Sequence, residues 1–170
     1  AGAEAFSKDD QQFLKFHGIY QQDDRDVRKQ GKKYIFMIRG VNPGGILSPE
    51  LIQSGPKFVH IHPGNLPHVR GADGLLWSTL VRGRPGAACF FMNAGIDTGE
   101  IIGTTDFPVV QFSVRDFERP DDRTLYQALF SFYDPLMRAK LFSDVLSKYD
   151  GELPDNGAAQ SVDDGTTYHF

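Results

Sequence analysis

From residue 57 onward the chain sets short apolar runs between turn-forming clusters, whereas the stretch before it is dense in charge and weakly patterned. "KFVHI" (57–61), "AACFFM" (87–92) and the run 100–107 are short and rich in apolar or β-branched residues. Gly, Pro or Asp bounds each of them, the pattern of buried strands. Between the first two, "DGLLWSTLV" (73–81) predicts a helix with Asp73 as its cap and Gly83 near its end. A second helical pattern begins at Asp121. Asp134-Pro135 reads as a break followed by a new first turn, which gives helices over 122–133 and 135–149, closed by Gly151. A polar, turn-rich tail then leads to a last strand over 166–170.

Upstream the signal is thinner. The pattern allows a short helix over 9–18, a charged turn, and a strand over 34–39. "NPGGILSPE" (42–50) reads as a loop that ends with Ser48 as an N-cap and Pro49 at the first helical position.

Composition narrows the function classes. At 170 residues with 40% hydrophobic and 24% charged content, the chain is an ordinary globular protein with room for one core. A formal charge of −4 supplies no general attraction for nucleic acid. The single cysteine, Cys89, excludes an internal disulfide, a cysteine zinc site and a cysteine-ligated iron–sulfur cluster. Mid-strand among "AACFF", it reads as a buried, inert thiol. No run approaches the ~18 apolar residues of a membrane span, and "AGAEAFSKDD" lacks the features of a secretion signal. The expectation is a soluble, cytoplasmic protein.

The candidate chemistry lies in "HIHPGNLPHVRG" (60–71) and "NAGIDTGEII" (93–102). On a strand, His60 and His62 project from one face, at the end where α/β sheets place their ligand crevice. Three readings stay open on the residues alone. The pair can be hydrogen-bonded strand-end histidines, a metal pair with His68 or Asp97 as third ligand, or acid–base groups, since imidazole titrates near neutrality. Asp97, between two glycines in a tight turn, can face a ligand or simply bond its own backbone. Trp77 reads as helix-to-sheet packing.

"HIHPGNLPHVRGADGLLWSTLVRGRPGAACFFMNAGIDTGEII" resembles the core signature of the folate-dependent formyltransferases. The likeness covers about residues 55–170. It implies an α/β, Rossmann-type formyltransferase-like core, partial in length, with an appended N-terminal segment. It also implies formyl transfer from 10-formyltetrahydrofolate, as co-substrate, to an amine on a small-molecule acceptor of the amino sugar or amino acid type. Matched residue by residue, His62 and Asp97 take the family's catalytic positions, and His60 stands where most members have asparagine. His62, held protonated by Asp97, is expected to donate to the developing oxyanion and then to the leaving folate nitrogen. Leu66, Arg70, Asn93, Ala94, Gly95 and Ile96 are expected to border the folate pocket. No resident metal, nucleic acid or membrane partner is implied.

Residues 5–50, with "KFHGIYQQDDRD" and "MIRGVNPGG", instead resemble the N-terminal segment of siroheme sulfite and nitrite reductases. In those enzymes an arginine matching Arg39 lies near the siroheme, but the cluster cysteines they need are absent here. The chain therefore reads as a reductase-like segment (1–54) joined to a formyltransferase-like core (55–170). The alternatives to formyl transfer are a metal-dependent hydrolase using the His-x-His pair, a folate-binding domain without turnover, and a reductase fragment.

Overall fold

The computed structural model describes residues 34–37, 48–53, 57–109 and 121–168. The helix expected over 9–18, the loop residues 42–47 and Arg39 lie outside these. Short apolar runs account for the interior strands of the central sheet. Strand β1 (Tyr34–Met37) runs parallel to β2 (Lys57–His62), which pairs antiparallel with β4 (Gly86–Phe91), itself antiparallel to β5 (Ile101–Asp106). The order is β1-β2-β4-β5, so β2 and β4 are interior and buried over most of their length. A short helix α1 (Pro49–Ile52) precedes β2 and starts where Pro49 predicts.

Successive side chains of a strand face opposite sides, and each side of β2 has its own surroundings. Val59 and Ile61 join Ala87, Cys89, Phe91 and Ile102 in a core closed by Leu141, Val145 and Leu153. His60 and His62 take the other side, opposite Phe90 and Ala88 of β4, where Leu66, Ala88 and Phe90 form a smaller apolar cluster. Burying a large aliphatic or aromatic side chain contributes about 1.5–3 kcal/mol, so this double-sided packing fixes the strand that carries both histidines.

Helix α2 (Gly74–Arg82) ends at Gly83, whose left-handed φ of 72° suits glycine. Its other end differs from expectation. Asp73 makes no side-chain cap and sits at φ 51°, its carboxylate accepting the Tyr126 hydroxyl at 2.8 Å instead. Trp77 stacks on Tyr168 with ring centroids 4.4 Å apart, which is the helix-to-sheet packing its sequence position suggests.

The break predicted at Asp134-Pro135 is not there. Helix α3 (Asp122–Ala128) runs through a π-turn (Leu129–Tyr133) straight into α4 (Asp134–Lys148). The Asp134 N–H donates to the Leu129 carbonyl, five residues back. That widened turn accommodates Pro135, which has no N–H and crowds an ordinary helical turn. Nor is Asp134 a cap: its fully buried carboxylate binds Arg138 at 2.5 Å. Asp134, Met137, Arg138, Leu141 and Val145 are buried, the stripe of a helix laid on a sheet.

A second, two-stranded sheet pairs β3 (Val69–Gly71), which the pattern reads as loop, with β6 (Thr166–Tyr168) in parallel. It folds the end of the chain back over the loop that follows His62.

Candidate active site

His62 is the last residue of β2 and is only 2% exposed. The chain leaves it through Pro63 and Gly64 and returns as β3, bringing the Val69 carbonyl to 2.9 Å from His62 Nε2. Gly64 makes this approach possible. A Cβ there would lie 2.6 Å from Nε2 and 2.9 Å from the Val69 oxygen, in the middle of that contact. A carbonyl only accepts, so Nε2 carries a proton and donates it. The other nitrogen, Nδ1, then faces Asp97 Oδ2 at 3.5 Å.

Asp97 is set by its own turn. Its φ of 52° is left-handed, a conformation Asp tolerates better than most residues. Asn93 shapes the turn by accepting the Gly95 N–H at 3.0 Å and the Thr98 hydroxyl at 2.9 Å. The Gly71 N–H donates to Asp97 Oδ2 at 2.8 Å. Gly71 has φ 88°, and a Cβ on it would fall 2.2 Å from the Tyr168 carbonyl oxygen, so this N–H is available only because residue 71 is glycine.

Behind Asp97 stands a residue that no motif marks. Gln160 Nε2 donates to the Asp97 carbonyl at 3.0 Å and to the Gly99 carbonyl at 2.6 Å. Its Oε1 accepts from Arg70 at 3.2 Å, and Arg70 also reaches the Ser161 carbonyl at 2.8 Å. The turn that carries the carboxylate is thus braced from the far end of the sequence. The pairing of Ile101 with Ala158 brings that segment alongside. The loop after His62 has a similar tie. Asn65 donates to Asp106 at 2.6 Å, and the same carboxylate takes Arg82 and Arg84 at 3.2 and 2.9 Å.

The predicted residues divide accordingly. His60, His62 and Asp97 come together, with one ligand-capable atom from each within 4.8 Å of the others. The His60 ring lies 6.2 Å from that of His62 and meets Phe90 edge-on at 5.7 Å. His68 is exposed, with Nδ1 3.3 Å from the Asp164 carbonyl, and does not join them. Leu66 and Arg70 are buried in the interior rather than set on an open surface, while Asn93, Ala94, Gly95 and Ile96 are exposed in the Asp97 turn. Cys89 is buried on the opposite face of the sheet, and desolvation pushes its thiol up to about 12, as expected for an inert core cysteine.

The contacts of His62 set a condition on the part expected of it. Both of its ring nitrogens are engaged, one on the Val69 carbonyl and one facing Asp97. It can donate to a ligand only by giving up the Val69 contact. Half-buried His60 and Asp97, whose side chain is 15% exposed, are the more accessible members.

No protein-family profile matches the chain. A 52-residue segment is 54% identical to the hemoprotein β-component of the NADPH sulfite reductase of Shewanella baltica, spanning 27% of this chain and 9% of that protein. Among solved structures, methionyl-tRNA formyltransferase from Clostridium thermocellum aligns at TM-score 0.56 and 17% identity, over 95% of this chain and 66% of that one. A sugar N-formyltransferase from a Shewanella species aligns at 0.52 and 20% identity, over 86% and 52%. HypX from Aquifex aeolicus, solved in complex with tetrahydrofolic acid, aligns at 0.53 and 16% identity, over 86% and 23%. The chain therefore spans between 23% and 66% of these structural neighbours. Taken together, the order of strands and the likeness to these structures establish that this chain has the mixed α/β fold of the formyltransferases.

Proposed function

We propose that the chain transfers a formyl group from 10-formyltetrahydrofolate to an amine on a small-molecule acceptor of the amino sugar or amino acid type. The observation that carries this reading is the pairing of buried His62 with Asp97, 3.5 Å apart and braced on both sides by backbone groups. The formyltransferase fold agrees with it, as does the sugar acceptor named for one structural neighbour.

The chemistry follows from the positions of the groups. The amine lone pair attacks the formyl carbon and forms the new C–N bond, while the carbonyl pair moves onto oxygen. His60, half-buried on the same strand face, offers an N–H to that oxygen, the kind of preorganised donor that stabilises a developing oxyanion. Asp97 accepts the proton released by the amine. Collapse of the intermediate breaks the bond to the folate nitrogen, which takes up a proton. His62 supplies that proton when Nε2 exchanges the Val69 carbonyl for the departing nitrogen, and Asp97 passes the proton taken from the amine to Nδ1, so that His62 ends neutral and Asp97 ends as the carboxylate. Catalytic hydrogen bonds are often long before ligands bind, so the 3.5 Å separation is expected to shorten in the complex.

The test is to incubate the full chain with 10-formyltetrahydrofolate and a panel of amino sugars and amino acids. Tetrahydrofolate release is followed by absorbance and the formamide by mass spectrometry. Amine-dependent release of tetrahydrofolate with matching formamide supports the reading. Calorimetric folate binding without turnover on any amine contradicts it in favour of a binding domain.

A further inference from the structure

The same three side chains have a second chemical capacity. His62 Nε2–H is fixed on the Val69 carbonyl, which leaves Nδ1 as an electron-pair donor directed at Asp97 Oδ2, itself an electron-pair donor, 3.5 Å away. Two electron-pair donors held face to face suit a cation between them, a proton or a metal ion. A tetrahedral zinc with ligand bonds of ~2.0–2.1 Å sets its ligand atoms ~3.4 Å apart, nearly the separation already present. His60 adds a third donor on the same strand face, within 4.8 Å of the other two. Closing the set requires the His60 ring to turn toward the other two. The surroundings are those of a metal site as well. The ligating imidazole is oriented by a backbone carbonyl through its other nitrogen, and the carboxylate is held by the Gly71 N–H, the outer contacts that fix ligand geometry.

The geometry points to a binding site for one divalent ion of the zinc class on His60, His62 and Asp97, with a fourth position open to water. Two imidazoles and one carboxylate favour zinc, cobalt or nickel over magnesium or calcium, which prefer all-oxygen sets. The ion is no cofactor of the transfer reaction. It occupies the groups that move protons, so its binding switches that chemistry off; this consequence rests on the formyl-transfer reading, whereas the site itself does not.

Cobalt absorption tests the site without any need for activity. The metal-free chain titrated with cobalt(II) is expected to saturate at one equivalent, with the intense visible bands of a four-coordinate ion, and zinc is expected to displace it. His60→Asn and, separately, Asp97→Asn are each expected to weaken binding at least ~100-fold. His68→Asn, which alters an exposed histidine outside the cluster, is expected to leave it unchanged. Either lack of saturable binding by the wild-type protein, or binding lost with His68→Asn and kept in both site variants, would overturn the proposal. Failure of formyl transfer on every amine overturns the functional reading alone, because the cobalt spectrum reports the ion site independently.

Discussion

Two parts of the molecule, each about a dozen residues long, are built on opposite principles. The Asp97 turn and the β3 segment against it are held by polar pairs: Asn93 with Thr98 inside the turn, and across the fold Asp97 with Gly71 and Gln160 with Arg70 and two carbonyls. The stretch through α3 and the π-turn, Asp122–Tyr133, is continuous helix with no buried residue. It leaves Phe132 76% exposed and Phe130 42% exposed. One region is irregular yet fixed by several long-range contacts, and the other is helical yet exposed, with long-range hydrogen bonds from the hydroxyls of Tyr126 and Tyr133. Regularity of backbone is therefore a poor guide here to where the energy lies. Specific partners at a distance are the better one.

The contrast can be broken from several directions. Arg138→Ala, just beyond the π-turn where the helix meets the core, removes the arginine that pairs with the buried Asp134 carboxylate. It should cost about 3–5 kcal/mol in urea unfolding, the usual effect of removing one partner of a buried pair; a loss under ~1 kcal/mol would mean the pair is solvated. Gln160→Ala unpairs two carbonyls and one side of Arg70. A loss of about 2–3 kcal/mol is expected, together with a fall in formyl-transfer kcat greater than the change in KM for the amine. An unchanged kcat would show that the brace does not position Asp97.

High pH probes the opposite face of the sheet. Above pH 9 the unfolded chain releases the Cys89 proton while the folded chain, with its thiol raised to about 12, keeps it. The unfolded state then binds fewer protons, so stability should fall by up to about 1.4 kcal/mol per pH unit across that interval. Cys89→Ala should flatten the slope measured by denaturant unfolding from pH 9 to 11. Tyr126 and Tyr133, both raised chiefly by burial, add the same sign in either protein. The smallest effect belongs to the exposed helix: Phe132→Ser should change stability by no more than about 0.5 kcal/mol, and a loss above 2 kcal/mol would erase the distinction drawn between the two regions.

What could be read in the sequence follows the same division. The apolar runs gave β2, β4 and β5 within one residue at each end, because strand burial writes its own pattern. His60 and His62 shared a face as their spacing required. The π-turn was illegible, since Asp-Pro carries the same local signal whether a helix restarts or widens around it. Asp73 looked like a cap because capping is what Asp does locally, but a tyrosine from another helix claimed its carboxylate. The β3–β6 pairing and the Gln160 brace join residues more than sixty positions apart, and nothing local announces such contacts. "RG" at 70–71 marks the arginine as an expected folate contact, and the Gly71 N–H, which no motif singles out, meets the candidate catalytic carboxylate.

The most direct test of the central claim is the single-turnover rate of formyl transfer by Asp97→Asn beside the wild-type chain, using 10-formyltetrahydrofolate labelled in the formyl carbon and the best amine acceptor. Asn keeps the shape and can still accept the Gly71 N–H, but it cannot take up a proton. A drop of about 10²–10⁴-fold is expected, with the circular dichroism spectrum unchanged. A variant that moves the label at the wild-type rate would contradict the account.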